Sequence, residues 1–221
     1  MSNGEEKSSM LQIRWHGHAC WEITNDITLV TDPHDGRSIG IPAPTVKGDI
    51  ILVSHDHYDH NSVKYVDKEG SKVVTDGRKR TIENVTIRGI ESFHDEAGGS
   101  KRGSNIIFKF LIDGIRFCHL GDLGHEIDNE TVEKIGEVDV LFIPIGGTFT
   151  VDDKQAWNVI NAIKPMIIVP MHYKIGGLSL PISGIDAFLE QNKYKLIPVG
   201  NEIEIDKEDL PDEPEVWTFT L

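Results

Sequence analysis

The eight residues from Ser54 to Asn61 read SHDHYDHN, with three histidines and two aspartates in the six positions from His55 to His60. They follow DIILV, an apolar run that reads as a buried strand. A polar surface turn fits poorly at the end of such a run, so the cluster reads as a site. No other feature limits the fold as strongly, because a buried strand must deliver this cluster to a rim where further ligands can join it.

Short β-branched and apolar runs recur through the chain: LQIRW, CWEIT, ITLVTD, DIILVS, KVVTD, VTIRGI, NIIFKFLI, IRFCHLG, DVLFIPI, MIIVPM and KLIPV. Turn signals such as TND, DPHDG, IDG and EAGG separate many of them. The spacing of the early runs predicts hairpins rather than βαβ units. Helices are predicted at NSVKYVDK (61–68), NETVEKIG (129–136), TVDDKQAWNVINAIKP (150–165) and ISGIDAFLEQN (182–192). In the third, Thr150 with Asp153 resembles a capping box. Ala156, Ile160 and Ile163 share one face, and Pro165 closes the helix.

Composition narrows the classes. No apolar run reaches the length of about 20 residues that spans a bilayer, and the polar start MSNGEEKSSM lacks the core of a signal peptide. The expectation is a disordered tail over 1–10, one ordered domain over 11–221 and, by default, a cytoplasmic location. A net charge of −14 argues against a nucleic-acid backbone as the main ligand. Two cysteines, Cys20 and Cys118, are too few for a disulfide framework and read as buried thiols. A small-molecule substrate is the expected partner, with no membrane, and a homo-oligomer is compatible with the composition.

Residues two apart on an extended segment point to one side, so His55 and His57 can grip one ion. Asp59 and His60 follow as the chain turns and can face a second ion. Imidazole with carboxylate suits a hydrolytic dinuclear site. Three more ligand types end strand-like runs: His94, Asp122 and His172. Strand ends gathered at one rim are a common place for a site.

His-x-His-x-Asp-His, a later His, then Gly-Asp and a C-terminal His together resemble the metallo-β-lactamase superfamily. Within it, the chain is similar to the metal-dependent hydrolase branch of ascorbate-6-phosphate lactonase. GHA at 17–19, TDP at 31–33, HLGD at 119–122, PIGGTFT at 144–150 and PMHY at 170–173 carry the same resemblance, over about residues 11 to 200. It implies an α+β fold, the four-layer αβ/βα sandwich with two mixed β-sheets flanked by helices. It also implies that His55, His57 and His94 hold one metal, that Asp59, His60 and His172 hold the other, and that Asp122 bridges. Asp32 is implied as the residue that orients a metal-binding histidine, a reading favoured over a simple cap of the turn at DPHDG.

The chemistry expected of such a site is hydrolysis. Two divalent ions about 3.5–4 Å apart can share a water and present it as hydroxide near neutral pH, to attack an ester, lactone or phosphodiester. Zinc leads, with manganese, nickel and iron as alternatives. Asp59 is the expected catalytic residue, orienting the nucleophile and shuttling its proton. His18 either faces substrate, braces a ligand or is simply a hydrogen-bonded strand histidine, and Tyr173 either donates to a developing oxyanion or caps the core. Asp56 and Tyr58 are expected to point away from the metals, and His16, His34, His119 and His125 to be no ligands. Residues 95–105 form either a flexible wall over the site or a long hairpin turn. The competing readings are a non-catalytic metal-binding module and a di-iron redox protein. Redox members resemble His-x-Glu-x-Asp-His, with a carboxylate where this chain has His57.

Overall fold

The computed structural model describes residues 10–221, so the tail predicted over 1–10 lies outside the described residues except for Met10. The first five strands are β1 (Leu11–Trp15), β2 (Trp21–Thr24), β3 (Thr28–Thr31), β4 (Ile50–Leu52) and β5 (Lys72–Val74). Next come β6 (Arg80–Ile82), β7 (Val85–Phe93), β8 (Ser104–Ile112), β9 (Ile115–His119), helix α1 (Asn129–Ile135) and β10 (Val140–Pro144). The chain continues with α2 (Asp153–Ile163), β11 (Ile167–Met171), α3 (Asp186–Glu190), β12 (Lys195–Gly200), β13 (Glu202–Ile205) and β14 (Glu215–Phe219).

These strands form two mixed sheets. One has six strands in the order β13-β1-β2-β3-β4-β5, and the other eight in the order β12-β14-β11-β10-β9-β8-β7-β6. The early hairpins are as expected, since β1, β2 and β3 pair antiparallel before β3, β4 and β5 continue in parallel. In β1 the side chains of Leu11, Ile13 and Trp15 are buried and those between them half-buried, the alternation of a strand with one core face. β10 and β11 are buried at every position, as parallel strands covered on both faces must be. One apolar core joins both sheets to the helices: Trp15 and Trp21, Phe108 and Phe142, Trp157 and Phe188 all belong to it.

The helices flank the eight-stranded sheet. α2 buries Ala156, Trp157, Val159, Ile160 and Ile163, and Trp157 stacks on Phe188 of α3 at 4.6 Å while its Nε1–H donates to the Phe188 carbonyl. Its cap differs from the one expected. Asp152, not Thr150, caps the helix, accepting the Gln155 N–H at 2.9 Å while Gln155 Oε1 accepts the Asp152 N–H. Thr150 instead donates to the Val151 carbonyl. Over the six-stranded sheet, the helix predicted at 61–68 reduces to a 3₁₀ turn, Val63–Tyr65. Val63 and Val66 cover Cys20, Val30, Ile51 and Val53 there.

Topology sets where the strands end. β7 and β9 are both antiparallel to β8 and therefore run the same way, and β9, β10 and β11 are parallel. The carboxyl ends of β7, β9, β10 and β11 thus share one rim of their sheet, the usual place for a site in parallel and mixed sheets. No helix among the described residues is long and apolar enough to cross a membrane.

Candidate metal centre and active-site cleft

Each donor residue stands just beyond a strand that carries it to the rim. His18 follows β1, Asp32 follows β3, and His55 to His60 follow β4. His94, Asp122 and His172 follow β7, β9 and β11. Three of these residues, His18, Asp32 and His172, adopt left-handed backbone (φ 56°, 36° and 52°). This is a costly conformation for such side chains, tolerated where the surroundings enforce it and concentrated at functional sites.

The donors converge in two groups. Ligand atoms of His55, His57 and His94 lie within 4.8 Å of one another, and so do those of His18, Asp59, His60 and His172. Asp122 stands between the groups. Its Oδ2 is 3.1 Å from His94 Nε2, 3.2 Å from both His60 Nε2 and His172 Nε2, and 3.7 Å from His55 Nε2. All the residues expected as ligands are therefore brought together. His18 joins them, with Nε2 3.0 Å from Asp59 Oδ2 and 3.2 Å from His60 Nε2.

A layer behind the donors sets their hydrogens. The Asp32 carboxylate accepts the Ser54 N–H (2.7 Å), the Ser54 hydroxyl (2.6 Å) and His60 Nδ1–H (3.1 Å). A carboxylate can only accept, so His60 Nδ1 holds its hydrogen and Nε2 is left for the centre. With its hydroxyl hydrogen given to Asp32, Ser54 Oγ accepts from His55 Nδ1 at 2.9 Å, which aims His55 Nε2 inward as well. Asn105 Oδ1 accepts the Asp122 N–H at 2.9 Å while its amide donates to Ser92 Oγ and the Leu120 carbonyl. Sequence reasoning found Asp32 but missed Ser54 and Asn105, which carry no local signal beyond lying beside a strand end.

The charges suit cations. Burial opposes ionisation of Asp59 and Asp122, but His60 and His18 around the first, and His172, His60 and His55 around the second, hold both carboxyls well below their usual range. Burial and the neighbouring His172 push His18 down to about 3, and burial with His60 does the same to His55. Burial also pushes His60 down, but Asp122 and Asp59 outweigh it and hold His60 well above its ordinary value. Near neutral pH the centre therefore offers a cation two ionised carboxylates, with the His18 and His55 imidazoles held neutral. Buried within it, His55 Nε2, His172 Nε2 and Asp122 Oδ1 have no hydrogen-bond partner among the described residues. Leaving such atoms unpaired costs about 1–3 kcal/mol each, and divalent cations would satisfy all three. The donor set fits metal.

The remaining candidates sort by contact. Tyr58 was expected to point away but is 59% exposed and lines the cleft over the centre. The strand that would alternate the side chains ends at Leu52, and the chain bends at Ser54 and His55 before it turns at Tyr58. Asp56 does face solvent, accepting from Asn61. Tyr173, a candidate for oxyanion contact, instead stacks on Trp15 and donates to the Phe219 carbonyl, turned into the core and away from the cleft. His119 Nε2 donates to the Ala19 carbonyl while Nδ1 accepts the Gly121 N–H, which ties the GHA turn to the GD turn. His34 is braced the same way between the His16 carbonyl and the Gly36 N–H, and burial pushes it down to about 4. His16 pairs with Glu22, and His125 accepts the Phe93 N–H. Cys20 and Cys118 are buried free thiols, the latter pushed by burial up to about 12.

The cleft holds ≈ 210 Å³, less than the roughly 300–1,000 Å³ of sites for drug-sized ligands, so it takes a small molecule or the tip of a larger one. Its wall beyond the donors consists of Tyr58, Arg102, Phe149 and Leu180. Sequence reasoning named none of the last three.

Residues 12–172 match the family model described as the beta-lactamase superfamily domain. A UPF0173 protein of Pyrococcus abyssi is 32% identical over 187 residues, 74% of this chain and 83% of that protein. A UPF0173 metal-dependent hydrolase of Thermoplasma acidophilum is 29% identical over the same shares. Among solved structures, a protein of Thermotoga maritima assigned provisionally as a zinc-dependent hydrolase of the metallo-β-lactamase superfamily superposes with a TM-score of 0.78. It is 37% identical, with 95% of this chain and 98% of that chain covered. A di-iron β-hydroxylase of Streptomyces venezuelae shares the fold alone, with a TM-score of 0.55 and 15% identity over 75% of this chain and 45% of that chain. With the matched model spanning most of the chain and the two mixed sheets carrying the motif residues to one rim, the chain belongs to the metallo-β-lactamase superfamily.

Proposed function

We infer that the protein is a metal-dependent hydrolase that cleaves an ester, lactone or phosphodiester bond in a small molecule. His55, His57 and His94 would hold one divalent cation and Asp59, His60 and His172 a second, with Asp122 facing both groups. The observation that carries this reading is the placement of Asp122 Oδ2 within 3.1–3.7 Å of four imidazole nitrogens, amid buried donors that have no other partner. When bound, such a cation pair supplies a water acidic enough to attack near neutral pH and polarises the oxygen under attack.

The chain's own residues do the rest. Asp59 stays ionised at the edge of the cleft and serves as the group that orients the attacking water and takes up its proton. His18, neutral and buried, donates Nε2–H to Asp59 and so fixes that carboxylate. Phe149 and Leu180 provide an apolar wall that displaces solvent from the substrate. Among the described residues no serine or cysteine lines the cleft, which agrees with water as the nucleophile.

Zinc is the leading metal, on the strength of its preference for imidazole with carboxylate. Elemental analysis should find two divalent ions per chain, and the loaded protein should turn over at least one member of a panel of lactones, thioesters and phosphodiesters. Fewer than one ion per chain, or a fully loaded protein inert across that panel, would remove the hydrolase reading.

The layer behind the donors is separately testable. Replacing Asp32 by Asn keeps its shape but loses an acceptor for Ser54 or His60. Asp32→Asn is expected to weaken metal affinity by about 10–100-fold, measured by competition with a chromogenic chelator. Unchanged affinity would mean that His60 and Ser54 hold their orientation without the carboxylate.

A further inference from the structure

Between β7 and β8 the chain passes through DEAGGSKRG, residues 95–103. Rather than a flexible flap, this loop is closed around one carboxylate. Asp95 Oδ1 accepts the N–H groups of Ala97 (2.7 Å) and Gly99 (3.0 Å), and Oδ2 those of Lys101 (3.0 Å) and Arg102 (2.7 Å). The Gly103 N–H closes back on the Gly99 carbonyl at 2.9 Å, and both glycines take left-handed φ. Hydrogen bonds to a carboxylate, as in this nest, are of the stronger, charge-assisted kind.

What the nest positions is Arg102. Its guanidinium carbon lies 4.6 Å from the centroid of the Phe149 ring, and Nη2 donates to the Thr148 carbonyl at 3.3 Å. Thr148 has left-handed φ (59°), and its hydroxyl donates to the Pro181 carbonyl, so the opposite wall is braced too. The guanidinium thus lies across an aromatic face at the mouth of the cleft, in the same wall as His57, Asp59 and His94. It is the only lysine or arginine among the described residues of that wall, and no carboxylate of the wall is paired with it. Of its five N–H donors, one has a partner among the described residues.

We propose that Arg102 is the specificity-determining residue of the cleft and that it recognises an anionic group, a carboxylate or phosphate, which the substrate carries beyond the bond that is cleaved. Asp95 is its positioning residue. The proposal rests on the hydrolase reading and narrows it to anionic esters, lactones or phosphodiesters. The planar fork and the contact with Phe149 make arginine, not lysine, the fitting cation.

The test compares two esters that differ only at the far end, 4-nitrophenyl pentanoate and the 4-nitrophenyl half-ester of glutarate, on metal-loaded protein. Their ratio of kcat/KM reads recognition of the distal carboxylate and cancels any loss common to both, such as lower metal content. Wild type should favour the anionic ester. Arg102→Gln should reduce that preference by about 10–100-fold, the range of a hydrogen bond to a charged group, with the loss in KM for the anionic ester. Arg102→Lys should recover part of the preference, and Asp95→Ala should lose most of it. An unchanged ratio in Arg102→Gln overturns the proposal. If neither ester is turned over, the same comparison is read from calorimetric Kd values for glutarate and pentanoate. That inertness counts against the hydrolase reading, whereas an equal glutarate preference in wild type and Arg102→Gln counts against the role of Arg102.

Discussion

Asp122→Asn is expected to lower kcat/KM of the metal-loaded protein by at least about 10³-fold, because the several kcal/mol that bound cations contribute at the transition state are lost at roughly 1.4 kcal/mol per factor of ten. The substitution keeps the side chain's size and its backbone N–H bond to Asn105. It removes the one charge that faces His94, His60, His172 and His55 together. The amide retains a single acceptor oxygen and adds an N–H₂ that would be forced against imidazole nitrogens or cations. Metal content should fall below two ions per chain, while unfolding of the chelator-treated protein remains cooperative. Turnover within about threefold of wild type at full metal content would show that Asp122 is not the shared ligand.

The second large effect concerns a residue with no chemistry of its own. Gly121 sits just before Asp122 with φ 56°. A Cβ there would lie 2.4 Å from Asn105 Oδ1 and 2.6 Å from Ser54 Cβ. Those are the two supports of the centre, since Asn105 holds the Asp122 backbone and Ser54 links Asp32 to His55. Gly121→Ala therefore combines left-handed strain with overpacking, for an expected loss of about 2–4 kcal/mol. At the size of this chain the melting temperature should fall by roughly 5–15 °C, and metal affinity should fall with it. Gly176→Ala is the control, because nothing lies within 4 Å of a Cβ there, and it should stay within about 0.5 kcal/mol of wild type. Equal stability and metal content in the two variants would mean that the crowding around Gly121 is not real.

Much of the fold was legible because a strand announces itself locally. The apolar runs at 11–15, 105–112 and 166–171 coincide with β1, β8 and β11 within a residue. The strands that went unread are of two kinds. β6 and β13 are edge strands whose sequences, RTI and EIEI, are short or charged, as solvent-facing edges tend to be. β14 lies between β12 and β11, but EVWTF follows an acidic, proline-bearing stretch and carries no distinctive period. The start of α2 was misplaced because Thr150 and Asp152 are both good caps. Packing, not propensity, chose between them.

The sequence by itself determined the donors and their order: a cluster at one strand end, then His94, Asp122 and His172 at three others. Those are local facts, since a run of β-branched residues ending in an imidazole reads the same whatever surrounds it. Only the tertiary structure decided how the donors group, and that Asp122 faces histidines of both groups. It also decided that Ser54 and Asp32 aim two imidazoles inward, and that Tyr58 lines the cleft while Tyr173 turns to the core. It alone brought Arg102 across Phe149, two residues far apart in sequence whose meeting depends on the nest around Asp95 and on the loop after β10. Orientation and partnership of this kind follow from strand register and loop closure, which are set by contacts remote in sequence, and no local periodicity encodes them.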